Sequence, residues 1–266
     1  MLLAELHALF RRTRVLVLLG VLFAIPVLLT VVVYISGGPS AGNGPTFLDQ
    51  VSHNGVFAAL AGLTVTLPFF LPLTVAVVAG DTIAGEASLG TLRYLLARPA
   101  GRVRLLGVKA VTVAAFCLAA ALVVAIGGLI AGAVFFPLGP VVSLSGTSLP
   151  LGDGIARTLL AAVVVGASLL GLGAIGVFVS TCTDVPVGAI ATTVGLAVLA
   201  AVLDGVSQIQ AVHPWLFTHQ WFSFGDLLRS PVRWHSVERD LLLQAGYVAV
   251  FGTAAWARFT TRDVLA

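Results

Sequence analysis

The sequence predicts an all-α integral membrane protein with six transmembrane helices. Hydrophobic residues make up 59% of the 266 residues, charged residues only 9%, and the mean hydropathy is +1.08. A soluble domain typically has about 25% charged residues, so the composition excludes that class. The apolar residues also form long runs. Because lipid offers no hydrogen-bond partner to the backbone, runs that cross it are expected to be helical.

Six apolar segments have about the length that is needed to span the hydrocarbon core, which is roughly 20 residues. They lie at residues 15–35, 56–79, 110–136, 157–180, 187–203 and 241–257. Charged residues bound several of them: Lys109 precedes the third, and Asp240 and Arg258 enclose the last. The first is too long for a signal-peptide core, so we interpret it as a retained anchor. We expect residues 1–266 to form a single transmembrane domain.

The positions of lysine and arginine predict the orientation in the membrane. Most of these 14 residues fall on the side that holds both termini and residues 80–109. The other side holds Arg157, Arg229, Arg233 and Arg239. Basic loops are retained in the cytoplasm, so both termini and residues 80–109 are predicted to be cytoplasmic in a multi-pass plasma-membrane protein. Because the basic residues lie at the edges of apolar runs, we expect no nucleic-acid partner.

Residues 1–14 are predicted to form an amphipathic helix in the cytoplasmic interface. Its apolar residues fall on one side of a helical projection, opposite Glu5, Arg11 and Arg12; they are Leu2, Leu3, Leu6, Leu9 and Phe10. Such a helix either anchors the topology or acts as a strut that touches a partner.

Residues 80–109, here called the island, are a charged stretch between two apolar spans. Within the island, four residues repeat at helical spacing before Pro99: Leu89, Leu92, Leu95 and Leu96. This pattern predicts a short amphipathic helix outside the membrane. Its leucines need a cover, which is either the lipid surface or a groove on another protein. We interpret Asp81 and Glu86 as ion-pair partners of the island's arginines, as a helix-start charge in the case of Glu86, and as polar contacts for a partner.

The island resembles the signature of type-2 ATP-binding-cassette (ABC) export permeases. The matching residues are Asp81, Glu86, Gly90-Thr91-Leu92, Leu95-Leu96, Arg98-Pro99, Arg102 and Lys109. The six-span layout, the N-terminal interfacial helix, the long external connection before the last span and the closing FTTRDVL are also similar to that family. The resemblance implies a permease half that pairs with a second half, identical or different, and with two cytosolic ATPase subunits.

The resemblance also implies which residues contact the ATPases. A coupling helix around 86–96 would lie in an ATPase groove, with contacts from Asp81, Glu86, Leu89, Thr91, Leu92, Leu95, Arg98 and Arg102. The TCTDVP turn around Asp184 would be a second, smaller cytoplasmic contact. From the residues alone, the favoured role of Asp184 is a simple helix cap beside Pro186.

The chain lacks the loop that binds the phosphates of ATP. That loop, G-x-x-x-x-G-K-[ST], requires a lysine, and the only lysine is Lys109, which follows Val108 rather than glycine. We therefore expect no enzyme activity and no cofactor on this chain, with ATP and Mg²⁺ bound by the partner ATPases.

The sequence is also compatible with two other functional classes. An ion-coupled carrier normally has ionisable residues at membrane depth, and the six predicted spans have none at their centres, although uncharged hydroxyls could contact a substrate: Thr64, Thr66, Thr192 and Thr193. A membrane scaffold or sensor would use the island to recruit a regulator without transport. If cargo is carried, the uncharged spans favour an amphiphilic or hydrophobic molecule, and no substrate-binding residue is assigned.

The external loop at 205–239 is rich in aromatic residues, including Trp215, Trp221 and Trp234. Tryptophan is enriched at membrane interfaces, so we expect interfacial or partly re-entrant helices here. The loop also has three histidines, His213, His219 and His235. A metal site made from them is conceivable, but their spacing fits no standard ligand motif, so we assign no metal ligands and favour solvation at the interface.

Small residues and prolines predict details of the packing. Gly128-x-x-x-Gly132 in the third span and Ala167-x-x-x-Gly171 in the fourth allow neighbouring helix backbones to approach closely. Pro68 and Pro72 in the second span each remove a backbone donor, which predicts a kink there, either a moving lever or a static bend.

Overall fold

The computed structural model describes residues 2–36, 48–90 and 101–261, which are helical except for a small hairpin and connecting turns. The α-helices, in chain order, are α1 (Leu2–Arg11), α2 (Thr13–Ile35), α3 (Leu48–Val51), α4 (Val56–Thr66), α5 (Phe70–Ser88), α6 (Arg102–Phe135), α7 (Leu151–Ser168), α8 (Leu170–Cys182), α9 (Pro186–Asp204) and α10 (Trp234–Thr261). The hairpin pairs β1 (Val141–Val142) with β2 (Ser148–Leu149), antiparallel. Short 3-10 helices lie at Ser207–Ile209, His213–Trp215 and Trp221–Leu228.

Five helices among the described residues are long and apolar enough to cross a membrane. They are Thr13–Ile35, Phe70–Ser88, Val103–Phe135, Leu151–Cys182 and Pro186–Asp204. The predicted all-α membrane class is therefore confirmed. Helix α10 has 28 residues and lies beside α8, but it is not among the five, and its first half carries the buried polar residues Asp240 and Gln244. The sixth span at 241–257 remains a prediction.

The helices run back and forth between two ends of one bundle. We call the end that holds Glu5, Glu86 and Lys109 the charged end, because these side chains meet there. The other is the hairpin end. There Asn54 donates to the Gly139 and Pro140 carbonyls, at 2.9 and 3.1 Å, so that the segment before α4 is bound to the segment before β1.

The prediction that residues 56–79 form one continuous transmembrane helix is wrong. Helix α4 ends at Thr66, a turn covers residues 67–69, and α5 begins at Phe70 and continues to Ser88. The prolines explain the break. Pro68 lies in the turn, and Pro72 lies in the first turn of α5, where its missing N–H leaves no intrahelical bond unmade. The predicted kink is thus a complete interruption.

The two halves of this broken span belong to different groups of helices. Helix α4 packs mainly against α2 and α6, whereas α5 packs mainly against α8 and α9. Residues of α4 are almost all buried, with Leu60 and Leu63 completely so. The turn at 67–69 therefore joins a group made of α2, α4 and α6 to a group made of α5, α8 and α9.

The predicted close approach at the Gly128 and Gly132 step is confirmed. A Cβ atom at Gly132 would overlap the backbone carbonyl of Gly55, and one at Gly128 would overlap the backbone of Ala59. The second predicted step, Ala167-x-x-x-Gly171, stays a prediction as a backbone contact, because a Cβ at Gly171 would meet the side chains of Gln244 and Tyr247 of α10. At Gly128 and Gly132, the backbone of α6 contacts the backbone at the start of α4 without side chains between them.

The other span boundaries also differ from the sequence prediction. Helix α6 begins at Arg102 rather than near 110, and the predicted span at 157–180 is a 32-residue helical stretch from Leu151 to Cys182 with a break at Leu169. These helices extend past the apolar runs because backbone hydrogen bonding, unlike hydropathy, does not stop at the first charged residue.

Residues 205–233 fold back against the bundle. Trp221, expected at the membrane interface, is only 3% exposed, and its Nε1 donates to the Ser168 carbonyl at 3.0 Å. Gln244 Nε2 donates to the Phe217 carbonyl at 2.9 Å. Trp215 is 71% exposed, as expected for an interfacial residue. The 3-10 helix at Trp221–Leu228 thus packs as a layer between α7 and α10.

Candidate functional site at the charged end

A buried lysine joins three helices at the charged end. Lys109, from the start of α6, forms ion pairs with Glu86 of α5 and with Glu5 of α1, the latter at 3.2 Å. The side chains of Lys109, Glu86 and Glu5 are 5%, 13% and 21% exposed. A buried ammonium needs opposite charges close by, because transfer from water into a protein interior is costly. The cluster therefore fixes α1 against the ends of α5 and α6.

A second, more exposed ion pair lies beside the first. Arg12, between α1 and α2, approaches Asp81 of α5 at 3.8 Å, and its side chain is 47% exposed. Exposed pairs of this kind contribute little to stability, about 0–1 kcal/mol. Among the described residues, the two island carboxylates thus pair with Arg12 and Lys109. Of the island's arginines, which we expected as partners, Arg93 and Arg98 lie outside the described residues, and Arg102 and Arg104 are in the first turn of α6.

The structure corrects the position of Glu86. This residue lies in the last turn of α5, not at the start of a separate helix. The helix ends at Ser88, and Gly90 has a φ of 69°, the left-handed conformation that commonly follows a helix C-terminus. The prediction of a continuous coupling helix over 86–96 is therefore wrong at its start.

The structure describes two of the other predicted ATPase contacts. Leu89 is 78% exposed, and Arg102 begins α6. The remaining predicted contacts, Thr91, Leu92, Leu95 and Arg98, lie outside the described residues.

Ser180 of α8 binds the backbone of α5 just before Glu86. Its hydroxyl oxygen accepts from the Ile83 and Ala84 N–H groups, at 3.0 and 2.9 Å, and donates to the Gly80 carbonyl at 2.7 Å. Ser180 is not recognisable as a contact residue from the sequence, because a serine in an apolar helix gives no sign of its partner on another helix. This contact couples the end of α5 to α8.

Close backbone packing adds α9 to the same unit. A Cβ at Gly80 would lie 2.8 Å from Ile190 of α9, and a Cβ at Gly176 of α8 would lie 2.6 Å from the Ala79 side chain. Real Cβ atoms essentially never come closer than 3.0 Å. The end of α5, the end of α8 and the start of α9 thus form one closely packed unit, here called the α5–α8–α9 unit.

Replacing Ser180 by alanine is expected to weaken the α5–α8–α9 unit by about 1–3 kcal/mol, because two buried N–H groups lose their serine acceptor. The buried thiol of Cys117 provides the measurement: in a Cys182→Ser background, its labelling by a thiol-reactive dye on heating reports unfolding. Thr192→Ala is the matched control, because Thr192 is exposed and its hydroxyl donates within its own helix, to Gly188. Equal unfolding midpoints for both variants would contradict the role of Ser180.

The turn that holds Asp184 also lies at the charged end. Asp184 is exposed between α8 and α9, close in sequence to Ser180 and therefore close to the end of α5. The N-cap position of α9 is Val185, which makes no side-chain cap hydrogen bond, and its N–H donates to Thr183 Oγ1 at 3.1 Å. The two predicted ATPase contacts, around Leu89 and around Asp184, are thus carried by the α5–α8–α9 unit.

Residues 7–232 match the model of a protein family described as ABC-2 family transporter protein. The chain belongs to the ABC-2 transporter family. The match covers well over half of the chain and confirms the resemblance that the island indicated. Members of this family are multi-pass membrane permease subunits of ABC transporters, which work with ABC ATPase subunits. No curated protein matches this ABC-2 family chain.

Little in this ABC-2 family protein supports an ion-coupled mechanism. Asp240 is the one fully buried carboxylate among the described residues, and both of its oxygens have partners: Ser168 donates to one and Gln244 to the other. The threonine hydroxyls that could have contacted a substrate donate to carbonyls of their own helices: Thr64, Thr66, Thr192 and Thr193. These polar groups are explained by packing of the helices.

Proposed function

We propose that this protein is the permease subunit of an ATP-driven ABC exporter that moves an amphiphilic or hydrophobic cargo by alternating access. Two cytosolic ATPase subunits would bind the charged end, and a second permease subunit would complete the pathway. The observation that carries the proposal is the α5–α8–α9 unit, which holds Leu89 and Asp184 at one end and is joined to the other helices through the turn at 67–69.

The packing supports a specific mode of coupling. Closure of two ATPase subunits on ATP would push on the connection after α5 and on the turn around Asp184. Because Ser180 fixes α5 to α8, the push would move the unit as a rigid body. Helix α4 would remain with α2 and α6. The turn at 67–69 and the Lys109–Glu86 ion pair, which joins α6 to the end of α5, would both have to rearrange. Movement of one helix group against another around a fixed pathway is the general basis of alternating access.

The same proposal includes the topology. The charged end would face the cytoplasm of a plasma-membrane protein, with both termini on that side. This orientation requires six crossings, with α10 as the last. Helix α10 lies beside α8 and runs in the same direction, because Asp240 contacts Ser168 before the start of α8 and Phe251 contacts Phe178 nearer its end. ATP and Mg²⁺ would be bound by the partner subunits, and the permease itself would perform no bond chemistry.

Co-purification tests the proposal against a non-transporting scaffold. The wild-type protein, solubilised in detergent from its native host, is expected to recover an ATPase with a phosphate-binding lysine loop, identified by mass spectrometry. Leu89→Arg is expected to reduce this recovery at least tenfold, because Leu89 is 78% exposed on the proposed contact surface. Leu138→Arg is the control, since Leu138 is 45% exposed at the hairpin end.

The outcomes separate the hypotheses. Loss of the ATPase with Leu89→Arg and retention with Leu138→Arg would establish the charged end as the coupling surface. Recovery of no ATPase with the wild type would contradict the exporter and favour the scaffold or sensor. Equal recovery of the ATPase from both variants would show that its contact with the permease does not depend on Leu89 at the end of α5.

A further inference from the structure

We propose that Asp204, His213 and His219 bind a divalent transition-metal ion at the hairpin end. Each residue offers one ligand atom, and these atoms all lie within 4.8 Å of one another. Two imidazoles and a carboxylate are ligands that zinc shares with the other borderline divalent metals, whereas calcium and magnesium prefer sites made of oxygen alone. The proposal does not depend on the direction of transport or on the ATPase contact.

The backbone brings the three residues together from separate segments. Asp204 is the last residue of α9, His213 begins the second 3-10 helix, and His219 lies in the turn that follows it. The connecting loop is held by its own hydrogen bonds: Val206 N–H donates to Leu203, Ile209 N–H donates to Val206, and His219 N–H donates to Leu216. The ligands are therefore carried by a folded loop.

The distances between ligand atoms are close to those that one ion requires. His219 Nδ1 lies 2.5 Å from Asp204 Oδ1, and His213 Nδ1 lies 4.0 Å from the same oxygen. Ligands that are each about 2.0–2.1 Å from a zinc ion lie roughly 3 Å from each other. Shifts of about 1 Å or less at each side chain would thus admit an ion, which would take the place of the proton between His219 and Asp204.

The orientation of His213 provides a second, independent observation. Its Nε2 lies 3.1 Å from the Val206 carbonyl, which accepts only, so Nε2 carries the hydrogen. In the neutral ring the lone pair is then on Nδ1, the atom that faces Asp204. Two acceptors that face each other are unfavourable, and either a proton on Nδ1 or a metal ion bound between the two atoms relieves the repulsion. A hydrogen bond from the second imidazole nitrogen to a backbone carbonyl is also the usual support of a metal-bound histidine.

Exposure and charge fit an accessible site. The side chains of His213, Asp204 and His219 are 15%, 27% and 32% exposed, so solvent reaches the cluster and water could complete the coordination. Asp204 also lies at the C-terminal end of α9, where the helix dipole favours positive charge. A bound ion would link the loop at 205–219 to the end of α9.

The test uses the full-length protein in detergent, purified through a tag without histidine, stripped with a chelator and titrated with Zn²⁺ by calorimetry. We expect one zinc per chain, bound at micromolar concentration or tighter. His213→Ala and His219→Ala are expected to weaken binding at least tenfold, as expected when a ligand is removed. The control is His235→Ala, the third histidine of the same loop, which is exposed and outside the cluster. It is expected to bind like the wild type.

Two further measurements make the outcome decisive. Asp204→Asn keeps the shape of the side chain but removes its charge, so it is expected to weaken zinc binding. This variant tests the site even if the alanine variants do not fold. Co²⁺ in place of Zn²⁺ should give an absorption spectrum that changes when a ligand is removed. Absence of saturable zinc binding by the wild type, or equal loss with His235→Ala and His213→Ala, would overturn the proposal in favour of a simple histidine–aspartate hydrogen bond.

Discussion

Replacing Lys109 by methionine is expected to destabilise the protein by about 3–5 kcal/mol, the range found when one partner of a buried ion pair is removed. Methionine fills similar space but leaves the carboxylates of Glu86 and Glu5 without their lysine, at sites that are 13% and 21% exposed. The expected result is a large fall in the midpoint temperature of unfolding. The midpoint is measured by labelling of the buried Cys117 thiol on heating, in a Cys182→Ser background.

Arg12→Met is the matched control for this experiment. It also removes a cation from a carboxylate at the charged end, but Arg12 is 47% exposed and 3.8 Å from Asp81. A change of no more than about 1 kcal/mol is expected. If Lys109→Met unfolds at the wild-type temperature, the cluster does not hold α1 against α5 and α6.

The second large effect is expected for Gly132→Leu. A Cβ atom at this position meets the backbone carbonyl of Gly55, which cannot rotate away as a side chain would. Leucine is fully compatible with lipid, so membrane insertion would be preserved while packing between α4 and α6 would be lost. We expect destabilisation of about 3 kcal/mol or more, at the upper end of overpacking effects. Reduced yield of monodisperse protein and a lower unfolding midpoint are the measurements.

Gly107→Leu controls for the helix and for the substitution itself. Gly107 lies on the same helix α6, and a Cβ there meets nothing within 4 Å. This variant is expected to keep the wild-type yield and midpoint, and to gain slightly from better helix propensity. Similar behaviour of the two leucine variants would show that the contact with Gly55 is not tight.

Much of the fold is predictable because hydropathy and small-residue spacing are local properties. The long apolar runs predict most of the spans, and Gly128 and Gly132 predict the contact with α4. Pro68 and Pro72 predict a kink at the place where the second span is in fact interrupted. Helix ends are less predictable, as α6 shows by starting at Arg102 rather than near 110.

The contacts that make up the sites depend on tertiary structure. Lys109 and Glu5 lie far apart in the sequence, and no local pattern indicates that α1 folds back onto α6. The histidines show the same limit: His213 and His219 match no ligand motif by spacing, and the residue that joins them is Asp204 at the end of the preceding helix. Trp221 was expected at an interface from its type, but it is buried by the fold of its loop.

The break between α4 and α5 has a consequence for solvation. Because Pro68 and Pro72 have no N–H, the carbonyls of Thr64 and Pro68 receive no donor from the residue four positions later. Within hydrocarbon, each carbonyl left without a donor would cost several kcal/mol, so such groups are tolerated only where water or protein reaches them. Phe69 beside them is 54% exposed. The break between α4 and α5 is therefore expected to lie at a depth where water or neighbouring protein groups reach the backbone.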